Sequence, residues 1–211
     1  MDKYLKFLWW TGGTLIALAL VGRLLLFDVY TVPDTGWLAA SVAPTLGGGD
    51  TVLVLTRGEP SFGDLVRCPD PEKDGYVIGR IVGTEGDQIE VKGRSLRVNG
   101  TRYDADEACA EPRRSVRHPD TDSPVELRCS RAGLGGGWHF LVTSERYSPS
   151  NDASERVAEG RVFLLSDNRD LHDDSRDFGA VPLAGCEGPI FFRLWGPGGF
   201  RESNGRFDVI R

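Results

Sequence analysis

Residues Leu165–Pro182 read LSDNRDLHDDSRDFGAVP, a dense polar stretch directly behind the apolar run Val162–Leu165. The run has the length and boundaries of a buried strand, and the stretch after it reads as a loop. Asp167, Asn168, Arg169, Asp170, His172, Asp173, Asp174, Ser175, Arg176 and Asp177 crowd into that loop. Charges so close together cost too much to bury alone, so they pair with one another, line a site, or stay solvated as an acidic turn.

Outward from this loop the chain is a succession of short strand patterns. They fall at Thr51–Leu55 (TVLVL), Gly63–Cys68, Tyr76–Val82 (YVIGRIV), Ile89–Val98, Trp138–Thr143 and Ile190–Trp195 (IFFRLW). Lys92-Gly93 breaks the fourth into a hairpin, and Asn99-Gly100 turns the chain again. No amphipathic helix separates them, which predicts a mainly β, barrel-like or sheet body. From 103 to 158 the pattern loosens into charged, Pro-containing and Gly-rich segments such as EPRRSVRHPDTDSP and GLGGG. That stretch is expected to be a small inserted β lobe with one clear strand, leaving a core of 28–102 and 159–211. The polar C-terminal tail is expected to be ordered only in part.

Phe7–Phe27 (FLWWTGGTLIALALVGRLLLF) is apolar enough to form one transmembrane helix. About 20 helical residues span a hydrocarbon core of roughly 30 Å. Lys3 and Lys6 precede it, so residues 1–6 are expected in the cytoplasm and residues 28–211 outside it, with the lipid bilayer as one partner. A cleavable leader is disfavoured, because Asp28-Val29-Tyr30 is a poor cleavage site.

The net charge of −6 argues against a nucleic-acid partner. Cys68, Cys109, Cys129 and Cys186 all follow the apolar run. Cys109 and Cys129 bracket one loop of the insert and are expected to be bridged, adding about 2–4 kcal/mol; Cys68 and Cys186 either face each other across strands or remain buried thiols. The four lack CxxC spacing, so no metal site is expected.

The 165–182 stretch resembles the C-terminal signature of bacterial type I signal peptidases, GDNRDNSxDSRxxGxVP. Ser166 stands for the opening Gly, Leu171 for an Asn and His172 for a Ser. Ser41-Val42-Ala43-Pro44-Thr45-Leu46, followed by Gly49-Asp50, resembles the same family's nucleophile box, SMxPTLxxGD. The resemblance implies a membrane-bound serine endopeptidase at the outer face of the cytoplasmic membrane. It would remove signal peptides from translocated proteins, bind them as an added β-strand and need no cofactor.

A serine hydroxyl needs a base within about 3 Å. In the family that base is a lysine in the box KRVVGxPGD; here the box reads GRIVGTEGD, with Gly79 at the lysine position followed by Arg80. Beyond the apolar run only Lys73 and Lys92 remain, and neither is a credible substitute. Ala39 stands where the family often has a second serine that holds the oxyanion. His172 is the compensating candidate: an imidazole reaching into the volume vacated at Gly79, oriented by Asp174, would give Ser41-His172-Asp174. Asp167, Asn168, Arg169, Asp170, Ser175, Arg176 and Arg80 are expected to support the site, Asp170 and Arg176 as ion pairs. His118 and His139 carry no assignment.

Two other functions stay open. One is an inactive paralogue that binds signal peptides or a partner peptidase; the other is a dedicated processing peptidase with a Ser-His base.

Overall fold

The computed structural model describes residues 2–146, 151–202 and 205–210. The chain opens with α1 (Asp2–Leu26), whose segment Lys3–Gly22 has mean hydropathy 1.4 and is long and apolar enough to cross a membrane. Nothing in the folded body covers it, and Tyr4, Phe7, Trp9, Trp10 and Leu15 stand exposed. Strand β1 (Phe27–Thr31) begins where the apolar run was expected to end. The Leu26 carbonyl accepts from Thr56 N at 3.1 Å, tying the helix end to the body.

The body is mainly β. After α2 (Trp37–Ser41) come β2 (Thr51–Leu55), β3 (Leu65–Pro69) and β4 (Tyr76–Gly83). The chain continues through β5 (Gln88–Lys92), β6 (Ser95–Val98) and β7 (Thr101–Arg102). Strand β4 is buried along all but its first residue, because both of its faces carry core. Alternation sends Ile78 toward Val42 and Leu46, while Val77 and Ile81 pack against Val66 and Leu164. Arg80 therefore shares a face with Ile78, and Gly79 shares one with Val77.

The insert is better ordered than its composition suggested. Strands β8 (Ala105–Arg117), β9 (Pro124–Leu134) and β10 (Gly137–Ser144) form a sheet of their own, where one strand was expected. Pro112 hid β8: it cannot donate to a ladder, and it falls where the β8–β9 register shifts between Ala108 and Arg113. The sheet's apolar face, including Val125, Leu127 and Val142, packs on Ala40 and Leu171. A Cys109–Cys129 disulfide staples this lobe, and Cys68–Cys186 joins positions 118 residues apart.

Next comes β11 (Ala153–Arg156), which pairs with β5, so the core takes the chain back inside the 103–158 stretch. Positions 147–150 of that stretch lie outside the described residues. β12 (Arg161–Leu165) pairs with β4 and leads into the polar loop; α3 (Ser175–Phe178) and β13 (Val181–Pro182) close it. β14 (Ile190–Trp195) pairs with β2, and β15 (Asp208–Val209) adds to β14, which gives the tail a strand.

Candidate active site

α2 starts after Gly36, whose φ of 96° few other residues would tolerate, and ends at Ser41. Ser41 is fully buried, and its Oγ donates to the Leu38 carbonyl at 3.0 Å. The 165–182 loop grips this turn directly. Asn168 N donates to the Ser41 carbonyl at 3.0 Å, and Asn168 Nδ2 donates to the Ala40 carbonyl at 2.9 Å.

The loop is held by three arginine–aspartate pairs, two of them fully buried and the Arg94 pair half-exposed on the arginine side. Arg80 reaches Asp167 through Nε and Nη2 at 2.8 and 3.1 Å, and Thr45 of the Ser41 turn donates to the same carboxylate. Arg94 reaches Asp170 at 3.0 and 2.9 Å, while Ser144 N also donates to Asp170. Arg176 reaches Asp174 at 2.9 and 2.8 Å, and its Nη1 donates to the Arg169 carbonyl at 2.8 Å. Ser175 Oγ accepts from Leu164 N at 2.9 Å. Burial pushes the Arg169 guanidinium down to about 10, with the neighbouring Arg176 adding to the effect.

His172 and Asp174 do not form the pair expected. Asp174 is committed elsewhere: its oxygens take the Arg176 side chain, Arg176 N and Ser166 N, and it caps α3. The imidazole instead has Nδ1 2.8 Å from Asp177 Oδ2. Burial alone would raise the Asp177 carboxyl, but His172 beside it holds it below the ordinary value. Asp177 is a partner of His172 that the sequence reading did not name; the Asp174-to-Asp177 spacing of a capping box was its signal. The Ser41 hydroxyl's hydrogen bond runs to Leu38 and not to His172.

The vacated volume at Gly79 is also absent. A Cβ added there would lie 3.1 Å from Leu164 Cβ and 3.5 Å from Leu165 N, because β12 has closed onto β4. Lys73 approaches the loop from outside, with Nζ 3.2 Å from Asp173 Oδ2 and 3.4 Å from Asp70 Oδ2. Partial burial would lower its pKa, but those carboxylates hold it above the ordinary value, so it is a cation and not a base. His139 was assigned nothing, yet it is buried with Nε2 3.8 Å from Asp167 Oδ1. Burial pushes its pKa down to about 3, so it is neutral.

His172, Asp174 and Asp177 bring donor atoms within 4.8 Å of one another. With Asp174 taken by Arg176, the set is a hydrogen-bonded cap and not a cation site.

These groups predict acid lability. Asp167 and Asp174 are fully buried carboxylates; burial would raise them, but Arg80 and Arg176 respectively pull them below the ordinary value. Depressed carboxylates contribute stability that is present above about pH 4 and lost as pH falls further. Neutral His139 adds to the loss from about pH 6.5 downward, because the unfolded chain takes up the proton. The denaturant midpoint is expected to fall between about pH 6.5 and pH 3, and Asp174→Asn to flatten the lower part. A midpoint independent of pH over that range would contradict the assignment.

A buried serine turn clamped by a charged loop, beside a β lobe and behind an apolar helix, defines a class. The chain belongs to the signal peptidase family, peptidase S26, whose pattern matches residues 5–195. Signal peptidase I of Bacillus licheniformis is 28% identical over 193 residues, covering 87% of each chain. Signal peptidase IB of Staphylococcus aureus (strain Mu50 / ATCC 700699) is 29% identical over 161 residues, covering 74% of this chain and 73% of its own. A crystallised signal peptidase I from Enterococcus faecalis V583 superposes with a TM-score of 0.40 at 25% identity, over 63% of this chain and 97% of its own.

Proposed function

We propose that the chain is a serine endopeptidase that removes signal peptides, with Ser41 as nucleophile and His172 as base, and that Gly79 stands where its relatives carry a catalytic lysine. The observation that carries the base assignment is the 2.8 Å contact between His172 Nδ1 and Asp177 Oδ2. That bond fixes the tautomer: Nδ1 holds the proton, and Nε2 is left to accept one. Asp177 thus takes the orienting role expected of Asp174. The clamp of Asn168 on the Ala40 and Ser41 carbonyls supports the nucleophile, since it ties the loop bearing His172 to the turn bearing Ser41.

In the reaction, Nε2 would take the Ser41 proton as Oγ attacks the scissile carbonyl, then pass it to the leaving amine. Water would regenerate the serine by the same route. For this the Ser41 hydroxyl must leave the Leu38 carbonyl and turn to the imidazole, and substrate binding would supply that rotation. Ser41→Ala in detergent micelles is expected to abolish cleavage of a signal-peptide substrate that the parent cuts. Undiminished cleavage by that variant would mean the nucleophile is misassigned.

The Ser41–Leu38 hydrogen bond also favours a second reading, a paralogue that binds signal peptides or a partner peptidase without cutting. A lysine at position 79 would bring its Cβ to 3.1 Å from Leu164 Cβ, so β12 would have to give by a few tenths of an ångström to accept it.

Lys3 and Lys6 ahead of the apolar helix support an N-terminus in the cytoplasm and a catalytic body outside it. Alkaline phosphatase fused behind the last residue is expected to be active in cells. An inactive fusion, with a cytoplasmic reporter active at the same site, would reverse the orientation.

A further inference from the structure

We propose that Asn151 is a positioning residue for Asp177, holding that carboxylate in the orientation in which it receives the His172 ring; this rests on the base assignment above.

Asn151 stands just ahead of β11, on the segment that brings the chain back from the inserted lobe to the core. Its Nδ2 donates to Asp177 Oδ1 at 2.5 Å, across 26 residues of sequence. The other oxygen of the same carboxylate, Oδ2, lies 2.8 Å from His172 Nδ1 and accepts from Asp174 N at 3.3 Å. The two oxygens thus have separate duties: Oδ2 meets the imidazole, and Oδ1 is held by the Asn151 amide. The terminal torsion of an aspartate is broad, so one partner alone leaves its plane loosely set. A second donor on the opposite oxygen fixes that plane, and with it the direction in which Oδ2 faces the ring.

The amide can do this because its own base is fixed. The next residue, Asp152, accepts from Gly93 N at 2.7 Å in the β5–β6 turn, and Ala153 then opens the ladder with Val91. Further along β11, Glu155 Oε2 accepts from Ala180 N at 3.3 Å, just beyond α3. β11 and its approach therefore hold the α3 region at two points. α3 itself has only four residues, too short a helix to be rigid alone. The Asp177 side chain is 29% exposed, so the Asn151 bond adds little to folding stability. Its effect belongs to the orientation of the base.

The test joins a spectroscopic reading to a double-mutant cycle. Nitrogen NMR spectra of the His172 ring in the full chain in micelles, assigned by their loss in His172→Ala, show which ring nitrogen carries the proton. They are recorded well above the ordinary imidazole pKa of about 6.5. The parent is expected to hold the proton on Nδ1, and Asn151→Ala to show both tautomers. Asn151→Ala should also lower kcat for a signal-peptide substrate by about tenfold, with KM and the denaturant midpoint near the parent's. Asn151→Asp, of the same size, sets a second carboxylate against Asp177 and should do at least as much. In an Asp177→Asn background, Asn151→Ala should cost nothing further, because the amide acts only through that carboxylate. An unmixed Nδ1 tautomer in Asn151→Ala overturns the proposal, as does an equal loss of rate with and without Asp177→Asn. Parental spectra in Asn151→Asp also overturn it. An inert parent defeats the base assignment alone, because the ring spectra still read Asn151 directly.

Discussion

Asp167→Ala is expected to cost about 3–5 kcal/mol of folding stability, the usual consequence of stranding a buried charge. Asp167 is 1% exposed and Arg80 3%, and the carboxylate also takes the hydroxyl of Thr45. One substitution thus takes the buried carboxylate from Arg80 on β4 and removes the Thr45 contact of the Ser41 turn. For a body whose whole stability is about 5–15 kcal/mol, that is a large fraction. The double variant Arg80→Met with Asp167→Leu should lose much less than the two single losses added together, because it strands no charge. Denaturant midpoints at constant slope measure both. A single-variant cost under about 1 kcal/mol would mean the pair is not what holds the loop on the turn.

The second large effect separates rate from stability within the same loop. His172→Ala is expected to lower kcat by about 10²–10⁴-fold while leaving the denaturant midpoint near the parent's. Asp177→Asn should follow it at smaller size, because the tautomer is no longer fixed. Asp174→Ala should do the opposite. It strands Arg176, removes a helix cap and costs stability first, since Asp174 faces Arg176 and not the imidazole. If Asp174 variants lost rate with unchanged stability while Asp177 variants were silent, the orienter would have to be Asp174 after all.

Much of this was legible in the sequence, and what was not has physical reasons. Strands β2, β3, β4, β12 and β14 read correctly because short, largely apolar runs such as TVLVL and IFFRLW, bounded by turn residues, have the length of strands and not of helices. Strands β8 and β9 were missed because they cover the body with one face only and carry charge on the other. Glu107, Glu111, Arg113 and Arg114 look like loop composition until Cys109, Val125 and Leu127 are seen packed on Ala40. Strands as short as β7 and β15 have no periodicity to detect.

Within the site, the sequence brought Ser41 and the 165–182 loop to notice, and the fold joins them through Asn168. It could not choose between Asp174 and Asp177 as the partner of His172, since both lie within five residues of it. That choice depends on Arg176, whose fork fits Asp174 two residues back and leaves Asp177 to the imidazole. The emptied volume at Gly79 was a sequence-level inference from side-chain size. It failed because a backbone can close over a glycine, and β12 has done so.

The most direct test of a serine peptidase working through His172 is the pH dependence of kcat/KM for a signal-peptide substrate, measured for the parent and His172→Ala. The parent is expected to lose activity as pH falls through the imidazole titration, and the variant to retain at most about one part in a hundred of the parent's plateau rate. Equal cleavage by His172→Ala, with the same acid limb, would contradict the account.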